Sequence, residues 1–175
     1  FQAALLQHPR FCSGNFNTGF IAEEYPQGFD VSMVPYEDPA LLAAVATFAR
    51  MRYIERAVQI EGQLAGHGRK VASEWVVVMG DEQYPLTSQP IEGGLAVTHQ
   101  DKTYNIVSNW IFGELLFTGT VNGKPISLQI ERRGLRYRIS HFGLQVEPIV
   151  MTVRAAYLLS LMPEKLPPDM SKFLL

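Results

Sequence analysis

Hydrophobic residues follow two different periods along this chain. Between Asp38 and Leu64, in DPALLAAVATFARMRYIERAVQIEGQL, the pattern is helical. Asp38 is placed to cap the first free amides, and Pro39 takes the first helical position, where a missing N–H costs nothing. From Ala40 to Ala49 the lone polar residue is Thr47, so this half is apolar all round and predicts enclosure on every side. From Arg50 onward Met51, Ile54 and Val58, with Tyr53, Ala57 and Ile60, keep an apolar stripe, while Arg50, Arg52, Glu55, Arg56, Gln59 and Glu61 face elsewhere. Such a helix begins inside a core and projects out of it. Gly62, Gly66 and Gly68 then break the helix and allow positive-φ backbone at low cost.

From Glu74 to Met151 the period becomes two. Trp75/Val77/Met79, Tyr84/Leu86, Leu95/Val97, Tyr104/Ile106, Leu115/Phe117, Ile126/Leu128/Ile130, Leu135/Tyr137/Ile139 and Leu144/Val146 alternate with mostly polar neighbours. Turn signals at Gly80-Asp81, Glu92 to Gly94, Gln100 to Lys102, Asn109 to Gly113, Asn122-Gly123, Arg133-Gly134 and Phe142-Gly143 separate them. Asn122-Gly123 is the strongest, because both central positions of a type I′ hairpin need positive φ. Connections this short permit only antiparallel neighbours. Such a sheet has open edges and one apolar face that needs cover. Closing the sheet removes the edges, and the apolar half of the helix covers the face. The predicted fold is therefore α+β: an eight-stranded antiparallel up-and-down β-barrel around one long central α-helix, with a short helical N-terminal segment.

The flanks read differently. FQAALLQ is a helical piece ended by His8-Pro9, Ser13-Gly14-Asn15 is a turn, and Thr18 is placed to cap a short helix through Glu24. The many aromatic and aliphatic side chains of residues 1–35 are too numerous for so short a segment to bury alone. After the strands, Thr152 caps a helix over VRAAYLLSLM, and Leu166-Pro167-Pro168-Asp169 reads as a stiff linker. Both ends read as cut from something larger.

Composition narrows the functional classes. The chain has 175 residues and a net charge of −2, which argues against general electrostatic binding to nucleic acid or an anionic membrane. One cysteine, Cys12, cannot form an internal disulfide and favours a reducing compartment. No run of about 18 apolar residues is present.

No catalytic constellation can be assembled. Cys12 lacks a charged sequence neighbour that would make it a nucleophile. His8, His67, His99 and His141 have no metal-ligand spacing, and His8, His99 and His141 read as solvent-facing turn residues. Gly66-His67-Gly68-Arg69-Lys70 evokes a phosphate loop, yet five residues after Gly62 stands His67 rather than glycine, and Val71 stands where Ser or Thr is needed. Exposed amides in such a loop suit docking on a partner, or a plain connector. Arg132, Arg133, Arg136 and Arg138 cluster near one hairpin, and Arg136 and Arg138 share the outward strand face. A solvated exterior outweighs an anion site there. Glu23-Glu24 and Glu131 offer no acid/base pair. The expected site has no catalytic residue and no metal ligand.

Two flanking stretches carry a resemblance. HPRFCSGNFNTGFIAEEYPQGF resembles the end of biotin carboxylase domains, and LMPEKLPPDMSKFLL resembles the segment before the biotin carboxyl carrier domain of acyl-CoA carboxylase α subunits. GQLAGHGRKVASEWVVVMG and RAAYLLSLMPEK look like the propionyl-CoA branch of that family rather than the methylcrotonyl branch. The resemblance implies three parts. Residues 1–35 would be the C-terminal remnant of a biotin carboxylase domain, 36–165 a BT domain mediating between carboxylase and carboxyltransferase, and 166–175 a linker toward the carrier domain. It also implies an assembly role, joining α to the carboxyltransferase β subunit in an α6β6 particle, with no nucleic acid and no membrane. The contact would run through a hook comprising Gly62, Gln63, Leu64, Ala65, Gly66, His67, Gly68, Arg69, Lys70 and Val71. The implied parent enzyme converts propionyl-CoA to methylmalonyl-CoA with biotin, ATP and Mg, none of them bound by this stretch. Its implied compartment is bacterial cytoplasm, or mitochondrial matrix in a eukaryote. The competing classes are a small-molecule-binding β-barrel and, last, a catalytic fragment.

Overall fold

The computed structural model describes residues 1–29, 38–62, 64, 66 and 71–163, with residues 3 and 7 described by backbone alone. Three short helices open the chain: α1 (Gln2–Gln7), α2 (Pro9–Cys12) and α3 (Phe20–Glu24). The long helix α4 spans Pro39–Val58. Nine strands follow: β1 (Glu74–Met79), β2 (Glu82–Ile91), β3 (Gly94–His99), β4 (Lys102–Val107), β5 (Leu116–Val121), β6 (Lys124–Arg133), β7 (Arg136–His141), β8 (Leu144–Val146) and β9 (Ile149–Met151). Helix α5 (Val153–Ser160) comes last, with the Thr152 hydroxyl accepting from the Ala155 amide at 3.3 Å as its cap.

The strands form one antiparallel sheet in which β1 to β8 pair in succession. The added ninth strand, β9, escapes the alternation pattern because it is three residues long and follows Pro148. It pairs with β1 over Val76–Val78, and Ile149 lies opposite Arg136 of β7. The circuit of pairings thus returns to its first strand. At Asn122-Gly123 φ is +51° and +78°, as a two-residue type I′ hairpin requires, and Val121 pairs with Lys124 across it.

The sheet encloses the first half of α4. Every residue from Leu42 to Ala49 is buried, Thr47 included. Thr47 satisfies its hydroxyl on the Ala43 carbonyl of its own helix at 3.0 Å. Around them stand the inward residues of alternate strand positions, among them Trp75, Val77, Leu86, Val97, Ile106, Phe117, Leu128 and Ile139. Phe48 meets the edge of Phe117 with ring centroids 5.6 Å apart. Tight crossings in the sheet call for glycine: a Cβ on Gly94 would stand 1.9 Å from the Ile106 carbonyl oxygen, and one on Gly119 2.5 Å from that of Val107.

Asp38 fixes the start of α4 to the sheet. Its carboxylate accepts from the Ala40 amide at 3.2 Å and from the Tyr104 hydroxyl at 2.5 Å, and it pairs with Lys102. Burial pushes this carboxyl up, but the hydrogen bonds from Lys102 and Tyr104 outweigh burial and hold it below the usual aspartate range. Burial and the neighbouring Asp38 raise the Tyr104 hydroxyl.

Four sequence expectations change. Helix α4 ends at Val58, short of Leu64, because Gln59, Ile60, Glu61 and Gly62 are exposed and find no surface to pack on. Leu115 and Leu135 belong to no strand and are exposed, since β5 and β7 begin one residue later. Gly19, not Thr18, precedes α3, and its amide donates to the Asn17 side chain at 2.7 Å. His8, His99 and His141 are half-buried rather than solvent-facing. The His8 ring accepts from the Arg10 amide and contacts Glu24, while His99 and His141 engage the Pro85 and Ser127 carbonyls of neighbouring strands. Leu166 to Asp169 lie outside the described residues.

Ala44→Asp places a carboxylate where no partner exists and should cost more than about 4 kcal/mol, while Glu61→Ala stays within about 0.5 kcal/mol. Equal melting temperatures for these two variants would contradict the enclosure. The Asp38 shift also has a sign. The unfolded chain takes up this proton at a higher pH than the folded chain, so the contribution is complete above about pH 4 and falls away at lower pH. Urea titrations from pH 6 to pH 3 should therefore show wild type losing more stability on acidification than Asp38→Asn.

Candidate docking surface at the helix exit

The second half of α4 leaves the sheet with the stripe its sequence predicts. Met51 and Ile54 are buried, and Tyr53 and Val58 are packed against the core at their edges. The polar face carries Arg52, whose guanidinium pairs with Glu55 at 3.0 Å, donates to the Ser108 carbonyl at 3.3 Å and lies 4.9 Å from the Phe48 ring centre. Arg56, one turn on, is exposed.

The connection from β4 to β5, residues 108–115, folds over this exit. Its sequence reads as a turn, yet it holds Trp110, Ile111 and Phe112. Trp110 is buried between Phe112 and Phe117, each 6.1 Å away by ring centroid, and its indole N–H donates to the Glu114 carbonyl at 2.9 Å. Buried Ser108 ties the loop to β5: its hydroxyl donates to the Thr118 carbonyl at 2.6 Å and accepts the Trp110 amide at 3.0 Å. With Trp110 turned in, the residues beside it turn out. Ile111 is 67% exposed and Leu115 is also exposed. The β6–β7 hairpin adds Leu135 at its tip, 74% exposed, and the chain leaving α4 adds Ile60 and Leu64. These exposed aliphatic side chains make this end a candidate docking surface.

Of the predicted hook, Gly62 and Gly66 have the positive φ expected of them, +87° and +78°, and Leu64 and Val71 are exposed. Gln63, Ala65, His67, Gly68, Arg69 and Lys70 lie outside the described residues. The arginine cluster is divided. Arg133 pairs with Glu131 at 3.1 Å and Arg138 with Glu147 at 2.8 Å. Arg136 donates to the Glu147 carbonyl at 3.4 Å, whereas Arg132 lies over the Tyr53 ring, 4.2 Å from its centre. At the N-terminal segment Arg10 pairs with Glu23 at 2.9 Å and with Glu24. Cys12 is an exposed free thiol. Among the described residues no group of three or more His, Cys, Asp or Glu side chains is placed to hold a metal. No described helix is long and apolar enough to cross a membrane.

A sequence model of one family, the propionyl-coenzyme A carboxylase BT domain, matches residues 42–165. The chain belongs to that family. The match takes in α4 from its second turn, the whole sheet, the exit loop and α5. Over its full length this BT-family chain is 38% identical to the propionyl-CoA carboxylase alpha chain of Ruegeria pomeroyi. It is 25% identical, over 97% of its length, to the mitochondrial propionyl-CoA carboxylase alpha chain of Mus musculus. It spans about a quarter of each relative, 26% and 24% respectively.

The β4–β5 connection is what a turn reading misses, although three large apolar residues inside a turn segment are its signal. Ser108→Ala should strand the buried Trp110 amide and cost about 1–3 kcal/mol. Urea denaturation gives the loss of stability. Trp110 fluorescence at neutral pH should also shift to the red as the loop loosens.

Proposed function

We propose that this chain is the assembly domain of a biotin- and ATP-dependent propionyl-CoA carboxylase, anchoring its α subunit to the carboxyltransferase β subunit. The observation that carries the proposal is the division of α4. Its first half is enclosed by the sheet, and its second half leads out among exposed Ile60, Leu64, Ile111 and Leu135 into the glycine-rich 62–71 segment. A helix held this way is a rigid mount for a loop that must reach a neighbour. On this reading the closed circuit of strands is a β-barrel whose purpose is to hold that mount. Residues 1–35 continue a biotin carboxylase domain, and 166–175 lead toward the biotin carrier.

The parent enzyme would carboxylate propionyl-CoA to methylmalonyl-CoA, with biotin, ATP and Mg handled by other domains, in an α6β6 particle of the bacterial cytoplasm or mitochondrial matrix. The names of the alpha-chain relatives support this reaction. A barrel that binds a small molecule inside is the weaker reading, because Leu42 to Ala49 fill the interior.

Removing Ala65–Lys70 from the full-length α subunit tests the proposal. The deletion should leave the melting temperature and the ATP-dependent carboxylation of biotin intact, and abolish co-purification with the β subunit. Normal complex formation by the deletion protein would sink the assembly role.

A further inference from the structure

Beside the exit of α4 lies a hollow of about 290 Å³ whose lining includes Trp110, Phe112, Leu115, Ile130, Glu131, Arg132 and Tyr137. Tyr137 is 1% exposed, and its hydroxyl has no acceptor, although the Arg50 guanidinium is close enough to donate to its oxygen. A buried O–H without an acceptor is costly. The Tyr137 O–H therefore lacks an acceptor within the chain as described.

Two guanidinium groups stand next to it. Arg132 and Arg50 lie 4.2 and 5.2 Å from the centre of the same Tyr53 ring, and Arg132 also lies 6.0 Å from that of Phe112. Neither makes an ion pair among the described residues, and the buried Nε of Arg50 has no hydrogen-bond partner. Arg132 donates through its Nε to the Gly134 carbonyl at 3.0 Å, which orients the rest of its fork. Glu131 does not neutralise them, since its carboxylate is held by Arg133 at 3.1 Å and faces Arg138 at 3.8 Å. Burial raises the Tyr137 hydroxyl, and nearby Arg50 and Arg132 oppose that rise, so both cations act on this one atom's surroundings. Two like charges beside a buried hydroxyl that lacks an acceptor make a site short of one negative charge.

We propose that this hollow receives the side-chain carboxylate of an aspartate or glutamate on the carboxyltransferase β subunit. Arg132 takes the carboxylate in fork geometry, the Tyr137 hydroxyl donates to it, and Arg50 supplies the second positive charge. Phe112, Leu115 and Ile130 line the hollow with apolar surface that matches the methylene stem of such a residue better than a hydrated phosphate. Exposed Leu135 and Ile111, which stand close in sequence to the lining residues, add further apolar surface. The inference rests on the assembly reading above and adds its chemistry: an acidic anchor set among apolar contacts.

The test uses full-length α subunit and intact β subunit, with their association measured at low and high salt. Arg132→Glu should weaken association by about tenfold or more at low salt. The same substitution should flatten the salt dependence. Tyr137→Phe should weaken association several-fold while its melting temperature stays level, because the lost O–H has no acceptor in the folded chain. A merely structural tyrosine would not separate those two readouts. Among single Asp or Glu to Lys changes on β, one should restore binding to Arg132→Glu. If Arg132→Glu and Tyr137→Phe bind like wild type while the Ala65–Lys70 deletion does not bind, the anchor is overturned and the assembly role stands. If the deletion binds normally as well, both fall. A rise in melting temperature with inorganic phosphate that Arg132→Glu abolishes, with β association unchanged in that variant, identifies a free-anion site and overturns the anchor.

Discussion

Burial of an apolar helix on all sides is the constraint from which the rest of this structure follows. A helix from Leu42 to Ala49 with no polar face has no stable position at a surface, and a sheet with one apolar face and two open edges has none in water. Each solves the other's problem when the strands close their pairing circuit around the helix. The side chains show the fit: alanines let the strands approach, Phe48 reaches outward to Phe117, and glycine stands at 94 and 119 where strands cross too closely for a Cβ.

Enclosure makes the two ends of α4 unequal. At its start, Asp38 joins the helix cap to Tyr104 and Lys102 on β4, so the helix cannot slide along the sheet without breaking a half-buried charged network. At its exit, the helix sheds its apolar surroundings within two turns, and the loop stapled by Trp110 turns aliphatic Ile111 and Leu115 outward beside the opening. Position and direction are fixed at one end, and contact is offered at the other. The match to the BT-domain family takes in both the enclosed and the exiting half of this helix.

Much of this was legible from residue types alone. The lone Thr47 in an apolar run announced the enclosed half, Asp38-Pro39 its start, and Asn122-Gly123 the tightest hairpin, because each depends on interactions within a few residues. Of the candidate site, the sequence carried the amphipathic second half of α4 and the glycines at 62 and 66, whose φ is positive. Leu115 and Leu135 misled because alternation predicts a face only inside a strand, and both residues stand just before one begins. The three described histidines misled because a neighbouring strand's carbonyl, absent from local sequence, claims the ring nitrogens of His99 and His141.

By itself, then, the order of residues determined the elements: which segment is helix, which are strands, and which half of the helix must be covered. Tertiary structure alone decided that β9 closes the circuit against β1, that Trp110 turns in so that Ile111 turns out, and that Arg132 and Tyr137 line one hollow with Arg50 close to Tyr137. The physical reason is range. Periodicity, caps and turn dihedrals act over a few residues, whereas the surroundings of a buried hydroxyl are set by residues distant in the chain.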